Sequence, residues 1–362
     1  LADEAVKAAA EADKAVIFAG LPESFESEGY DRSHMRLPEC QNRLITEILK
    51  VQPNTVIVLH NGSPVEMPWL GEIKGLLETY LGGQAGGAAA ANILYGKINP
   101  SGKLAETMPL KLSDNPSYLN FGGGEKVEYR EGIFVGYRYY DTKEMDVAFP
   151  FGYGLSYTTF AYSNLKLSME NPTEKDTVMV SADITNTGKS AGKEVVQLYI
   201  RDLTGSAIRP EKELKGFEKV FLEPGETKTV TMELNKRSFA WYNTELHDWF
   251  AASGDYEILV GASSRDIRLT ETLHLNSSQR LPMHVHMNTT LGDLLRNPET
   301  AEAAKKLIQK YLSGEAGSEA ASEAVSEEMT MAMTDSMPLR ALMGFAGVSR
   351  KELDSVIEKL NK

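Results

Sequence analysis

The hydrophobic pattern of this chain changes its period near residue 160, and no other feature constrains the fold as strongly. From residue 1 to about 110, helical patterns alternate with short apolar runs such as Ala15–Gly20. From about 160 to 275, apolar and polar residues alternate one by one, and turn signals such as Pro224-Gly225 separate the segments. The first pattern predicts a parallel sheet covered by helices on both faces, whereas the second predicts an antiparallel β-sandwich.

Three domains follow from these patterns. We predict an α/β sandwich with a mostly parallel sheet at residues 1–159, and an all-β sandwich of the immunoglobulin or fibronectin type at residues 160–275. Residues 276–362 read as helical again and predict a helical C-terminal extension. Within that extension, residues 313–328 are rich in Ser, Ala, Gly and Glu, with glutamates at four-residue spacing, which predicts a low-complexity linker.

Charge and composition exclude several classes of partner. The chain has 362 residues, a net charge of −13 and a pI of about 5.1, so we expect no nucleic-acid partner and no anionic membrane partner. No apolar run approaches the ~20 residues that a membrane-spanning helix needs. The single cysteine, Cys40, rules out an internal disulfide, and we expect a buried thiol in a cytoplasmic protein.

The first residues of the chain have the pattern of a helix interior rather than of a helix start. Neither an initiator Met nor a capping residue precedes the Ala-rich stretch that begins at Ala2. We therefore expect an upstream segment to be missing, including the first strand of the α/β sandwich.

A long acidic loop follows the first apolar run. It contains three glutamates, an Asp-Arg pair and two aromatic residues: Glu23, Glu26, Glu28, Asp31, Arg32, Phe25 and Tyr30. Because ligands of open parallel sheets bind beyond the carboxyl ends of the strands, this loop is the first candidate for a functional site.

Five motifs resemble glycoside hydrolase family 3 and occur in the order typical of that family. They lie at Gly20–Gln41, Asn54–Val65, Asn99–Leu104, Phe149–Tyr157 and Trp249–Ser263. The resemblance covers roughly residues 1–275, and it identifies the first domain as resembling that family's C-terminal α/β sandwich and the second as its fibronectin type III-like module. The tail from 276 to 362 resembles an extension carried by some bacterial members.

The resemblance implies a retaining, exo-acting β-glucosidase that removes terminal β-linked glucose from oligosaccharides or glycosides. Retention requires two carboxyl groups about 5 to 5.5 Å apart, one a nucleophile and the other a general acid/base. In this family a (β/α)8 barrel supplies the nucleophilic Asp, and the sandwich supplies the acid/base Glu. The match gives Glu28 the acid/base role and leaves Glu26 in reserve.

The other loop residues have structural alternatives. We expect Glu23 and Glu26 to be solvated charges, and Asp31 and Arg32 to form an ion pair that shapes the loop. Phe25 and Tyr30 either stack on a sugar ring or pin the loop, and the sequence leaves that choice open. No metal or cofactor is expected, because the histidines near the loop lack partners at ligand spacing.

The chain departs from the family in one respect, since it holds no barrel and therefore no barrel nucleophile. His247-Asp248-Trp249 imitates the family's nucleophile motif, but it lies within the β-sandwich pattern, and we interpret it as the edge of a strand. We therefore expect a fragment that is inactive by itself and whose partner is the missing barrel. A β-xylosidase, a β-N-acetylglucosaminidase and a noncatalytic carbohydrate-binding or scaffold module remain alternatives, and assembly into a homo-oligomer stays open.

Overall fold

A three-stranded parallel sheet organises the first part of the chain in the computed structural model, which describes residues 1–122, 124–311, 332 and 335–361. The strands lie in the order β1-β2-β3. The elements are α1 (Ala2–Ala10), β1 (Ala15–Gly20), α2 (Glu39–Val51), β2 (Thr55–His60), β3 (Gly75–Glu78) and α3 (Gly86–Leu94).

The central strand, β2, fixes the geometry of this sheet. It pairs with β1 in register from Ala15 opposite Thr55 to Gly20 opposite His60. β2 is largely buried because its four central residues, 56–59, are apolar, and Ile57 packs with the fully buried Ile45 of α2. The two strands end side by side, so the segments that follow them meet at one edge. Val16 and Phe18, on the edge strand β1, are exposed.

Short elements connect the sheet to the second part of the chain. They are β4 (Met108–Pro109), α4 (Tyr137–Thr142) and β5 (Val147–Phe149), and β4 pairs antiparallel with β5. Tyr137 stacks on Phe151 with ring centroids 4.7 Å apart, and it also contacts Tyr199 of the following sandwich edge to face at 6.0 Å. The Tyr137 hydroxyl accepts a hydrogen bond from the Leu214 backbone N–H at 2.7 Å. Aromatic side chains therefore join the α/β part to the sandwich.

The sandwich consists of two antiparallel sheets and a hairpin. One sheet has the order β10-β7-β6 and the other the order β14-β13-β8-β9, while β11 pairs with β12. Its elements are β6 (Phe160–Leu167), β7 (Val178–Asn186), β8 (Gly192–Asp202), β9 (Glu213–Leu222), β10 (Thr227–Leu234), α5 (Lys236–Phe239), β11 (Trp241–Asn243), β12 (Asp248–Phe250), β13 (Gly254–Ser263) and β14 (Asp266–Leu275).

The period-two pattern places its apolar residues in one core. In β7, every second residue from Val178 to Asn186 is buried, and the apolar ones among them pack against partners such as Tyr256 of the opposite sheet. The predicted fold class, an α/β sandwich with a parallel sheet followed by a fibronectin type III-like sandwich, is confirmed.

A second compact unit, Arg280–Lys362, follows the first, Leu1–Gln279. Its helices are α6 (Leu291–Arg296), α7 (Ala301–Tyr311), α8 (Ala341–Phe345) and α9 (Arg350–Leu360). Thr290 caps α6 and Ser349 caps α9 through their side chains, and Leu291, Leu342 and others form a separate apolar cluster. The predicted linker at 313–328 lies outside the described residues.

The expectation for Cys40 was wrong. Its side chain is exposed, because the second residue of α2 lies on the helix face that points away from the sheet. Within the described ranges, no helix combines the length and the apolar character that crossing a bilayer requires.

Candidate active site

Three segments meet at the carboxyl edge of the parallel sheet. They are the acidic loop 21–38 after β1, the turn 61–64 after β2 and the turn 79–85 after β3. The aligned ends of β1 and β2 bring the first two together, and this edge is where open parallel sheets bind ligands.

Glu26 does not project into solvent but binds the turn after β2. One carboxylate oxygen accepts the Gly62 backbone N–H at 2.6 Å, and the other accepts the Ser63 hydroxyl. The Arg32 guanidinium lies 3.6 Å from the carboxylate, and only 22% of the Glu26 side chain is exposed. The expectation that Glu26 is a solvated loop charge was therefore wrong, because the loop folds back onto the turn.

Arg32 also has a different partner from the one expected. It donates to the Ser63 hydroxyl at 2.8 Å and to the Pro64 carbonyl at 3.2 Å, and it faces Glu26 rather than Asp31. Asp31 is exposed. The predicted Asp31–Arg32 ion pair was wrong, since adjacent side chains of the loop point in different directions.

Glu28 lies on the exposed part of the loop, and across the described residues its carboxylate has neither a hydrogen bond nor an ion pair. The two aromatic side chains nearby contact the loop itself. The Tyr30 hydroxyl donates to the Glu23 backbone carbonyl, and the Phe25 ring lies 6.2 Å from the His34 ring. These contacts pin the loop, and the acid/base role of Glu28 and stacking on a sugar stay predictions.

A half-buried carboxyl group, that of Glu78, lies at the end of β3. The Glu78 carboxylate accepts the Tyr80 backbone N–H at 2.8 Å and the Asn61 side-chain amide at 3.4 Å. Burial nevertheless raises the pKa of Glu78 to about 7. Burial likewise raises the pKa of Glu106, and the charge of Glu26 adds to that effect. The sheet edge therefore carries two acidic groups whose pKa is raised, a common property of functional sites.

Sequence reasoning missed Glu78 and Glu106. A signal was present for Glu78, because this carboxyl group interrupts the apolar run that begins at Leu76. For Glu106, no pattern in the sequence indicates burial.

Sequence reasoning also missed Glu131. One of its carboxylate oxygens is buried and has no hydrogen-bond partner among the described residues. The surrounding segment is rich in glycine and in exposed apolar side chains, among them Tyr129, at 81% exposure, and Ile133, at 49%. A glutamate among glycine and exposed aromatic residues was the available signal, because such segments belong to binding surfaces more often than to cores.

His247-Asp248-Trp249 lies in the β11–β12 hairpin, as expected for a strand edge. Asp248 is exposed, and Lys236 lies 3.4 Å from its carboxylate. In the ranges that the structure describes, no group of three His, Cys, Asp or Glu side chains has the arrangement of metal ligands.

Two family models match the chain. Residues 1–157 match the glycosyl hydrolase family 3 C-terminal domain, and residues 194–264 match the fibronectin type III-like domain.

Curated relatives extend over the whole chain. Thermostable beta-glucosidase B of Acetivibrio thermocellus is 50% identical over 364 residues, which cover 100% of this chain and 48% of the relative. The exo-alpha-(1->6)-L-arabinopyranosidase of Bifidobacterium breve is 41% identical, covering 98% of this chain and 46% of the relative. The chain thus spans about half the length of these relatives.

Solved structures agree with this likeness. A GH3 beta-glucosidase of Bifidobacterium adolescentis matches with a TM-score of 0.77 and 42% identity, covering 85% of this chain and 45% of that one. A beta-glucosidase of Kluyveromyces marxianus, solved with glucose, matches with a TM-score of 0.73 and 47% identity, covering 76% and 32%.

Proposed function

Since this chain belongs to glycoside hydrolase family 3, we propose that it is the proton-donor half of a retaining, exo-acting β-glucosidase. The nucleophile comes from a (β/α)8 barrel that is not part of these 362 residues. The beta-glucosidases among the relatives, together with the half-length match, support this division of labour.

The chemistry requires two carboxyl groups on opposite sides of the scissile bond. The nucleophile attacks the anomeric carbon and forms a glycosyl-enzyme, while the general acid protonates the departing oxygen. The same carboxyl group, now ionised, then removes a proton from the water that hydrolyses the glycosyl-enzyme. This chain supplies the second group, so it turns over little substrate by itself.

Two glutamates compete for the donor role. The family resemblance favours Glu28, which is solvent-exposed until a second module covers it. Glu131 has a buried carboxylate oxygen without a hydrogen-bond partner among the described residues, but it lies outside the three segments that meet at the sheet edge. We therefore give Glu28 the stronger claim, because it lies in the acidic loop at that edge. Glu26 is the weakest candidate, since both of its oxygens accept hydrogen bonds within the loop and turn.

The test compares Glu28→Gln and Glu131→Gln in the enzyme that contains this chain. Removing the donor should lower kcat/KM for cellobiose by about 10²- to 10⁴-fold and lower it far less for dinitrophenyl glucoside, whose leaving group needs no proton. Glu23→Gln, a change in an exposed carboxyl group of the same loop, is the matched control. If neither glutamine variant slows cellobiose hydrolysis more than the control, this half of the enzyme does not carry the donor.

The sugar that the enzyme accepts is a separate question. The relatives include both beta-glucosidases and an exo-alpha-(1->6)-L-arabinopyranosidase, so nitrophenyl β-D-glucopyranoside and α-L-arabinopyranoside should be compared directly. β-Xylosidase and β-N-acetylglucosaminidase activities need the corresponding substrates. A noncatalytic carbohydrate-binding module would instead bind glucose or cellobiose as the isolated chain, which calorimetric titration measures.

A further inference from the structure

The acidic loop is fastened to the sheet at its base by two residues that bind the same turn. Glu26 receives the Gly62 N–H and the Ser63 hydroxyl, and Arg32 donates to the Ser63 hydroxyl and the Pro64 carbonyl. Glu26 and Arg32 lie 3.6 Å apart across the Ser63 hydroxyl. The base of the loop is thus closed by a small network of charge-assisted hydrogen bonds, which are stronger than neutral ones.

The turn that receives these residues is itself held in place. Asn61 is fully buried, and its amide donates to the Ser63 carbonyl at 2.9 Å and to the Glu78 carboxylate at 3.4 Å. A Cβ atom added at Gly62 would lie 3.2 Å from the Glu26 carboxylate, so only glycine lets the carboxylate approach the backbone this closely without displacement. The anchor therefore rests on a turn that Asn61 ties to the end of β3.

The five residues between the two anchors form a bow, which we define as Ser27–Asp31. All five are exposed. Gly29 lies in the left-handed region, with φ of +96°, and supplies the sharp bend. The bow has no buried side chain of its own, so its position depends on the two anchors and on the hydrogen bond from the Tyr30 hydroxyl to the Glu23 carbonyl.

We infer that Glu26 and Arg32 are positioning residues that close the base of the bow, and so fix Glu28 and Tyr30 where a bound glycoside and the second module meet them. This inference rests on the proposed function, and it changes the role of Glu26 from reserve proton donor to anchor. A positioning residue acts through the group that it places: misplacing a loop by about 1 Å costs up to about 10²-fold in rate, and the proton donor that the loop carries is still present.

Hydrogen exchange on the present chain tests the anchor without any need for activity. Glu26→Gln keeps the size of the side chain but replaces one acceptor by a donor, and Ser63→Ala removes the shared hydroxyl. Both variants should accelerate exchange in peptides that cover residues 21–38 at least several-fold, whereas Ser63→Thr, which keeps the hydroxyl, and the control Glu23→Gln should match the parent. Parent-like exchange in Glu26→Gln would overturn the inference.

Kinetics of the complete enzyme test the consequence for catalysis. Glu26→Gln should lower kcat/KM for cellobiose about 10- to 100-fold and keep the basic limb of its pH profile, because Glu28 is misplaced but still present, whereas Glu28→Gln should lose that limb. Adding Ser63→Ala should cost little more, because both changes remove one network. Loss of the basic limb in Glu26→Gln would make Glu26 the donor, and fully additive losses would make it independent of Ser63; either result refutes the anchor.

The two proposals fail separately. If Glu28→Gln and Glu131→Gln both leave cellobiose hydrolysis at the control rate, the proposed function fails, and the exchange experiment still decides whether Glu26 and Ser63 hold the loop.

Discussion

Replacing Glu78 by glutamine should make this chain more stable at neutral and alkaline pH, and the size of the gain follows from where the carboxyl group lies. Burial at the end of β3 raises its pKa from 4.5 to about 7, against the opposing hydrogen bonds from Tyr80 and Asn61. The charge of Glu106 nearby raises it further. In the folded chain Glu78 therefore keeps its proton over a range of pH in which the unfolded chain has lost it.

The sign of the effect follows from linkage. Because the folded pKa is raised, the contribution of Glu78 to the free energy of unfolding is complete below pH 4.5 and is lost as the pH rises through 7. The difference between the unfolded and folded pKa of Glu78 corresponds to a change of about 3 kcal/mol in the free energy of unfolding. This figure is an upper bound, because water at the partly exposed sheet edge screens the charge. Glu78→Gln removes this dependence, so the variant and the parent should differ most above pH 7.

Urea unfolding from pH 5 to 8.5, followed by tryptophan fluorescence, measures this effect. Trp69 is 2% exposed and packs in the core of the same sheet, so its emission reports on this region. Glu72→Gln removes the same charge from an exposed position and is the matched control. The reasoning is refuted if the stability of Glu78→Gln runs parallel to that of the parent over the whole pH range.

Two further predictions concern the sandwich. Hydrogen bonds from Ser278 outweigh burial and lower the pKa of Glu174 to about 2. Ser278→Ala should therefore lower the thermal unfolding temperature above pH 4.5, and the difference between variant and parent should disappear as the pH falls towards 2. A difference that persists at pH 2 would contradict the assignment. Ile184→Ala should lower the free energy of unfolding by about 2 to 5 kcal/mol, because Ile184 is fully buried between the two sheets. Ile184→Val should lower it by about 0.5 to 1.5 kcal/mol, and equal losses in urea titrations of the two variants would show that packing at this site does not limit stability.

The strands could be predicted because their signals are local. β1 and β2 occupy the residues that their apolar runs predict, and β7 follows its period-two pattern to Asn186. Each of these patterns depends on which face of a single element is buried, and a sequence carries that information directly.

The contacts of the acidic loop could not be predicted in the same way. Arg32 pairs with Glu26 and Ser63 because a loop after one strand folds onto a turn after the next, a contact over about thirty residues that no local pattern encodes. Burial of one oxygen of Glu131 likewise depends on how a glycine-rich segment folds around it. The resemblance to a known family indicated the sheet edge but not which carboxyl groups are occupied by structural partners there.

The outer side of β1 determines how this chain must be handled in the laboratory. The strand ends the described sheet, and Val16 and Phe18 project from it with 46% and 57% exposure. β1 pairs with β2 along one edge only, and an edge strand with exposed apolar side chains is a template on which further copies can add. Preparations of the isolated chain should therefore be kept dilute, and light scattering should rise with protein concentration and fall when Phe18 is replaced by lysine.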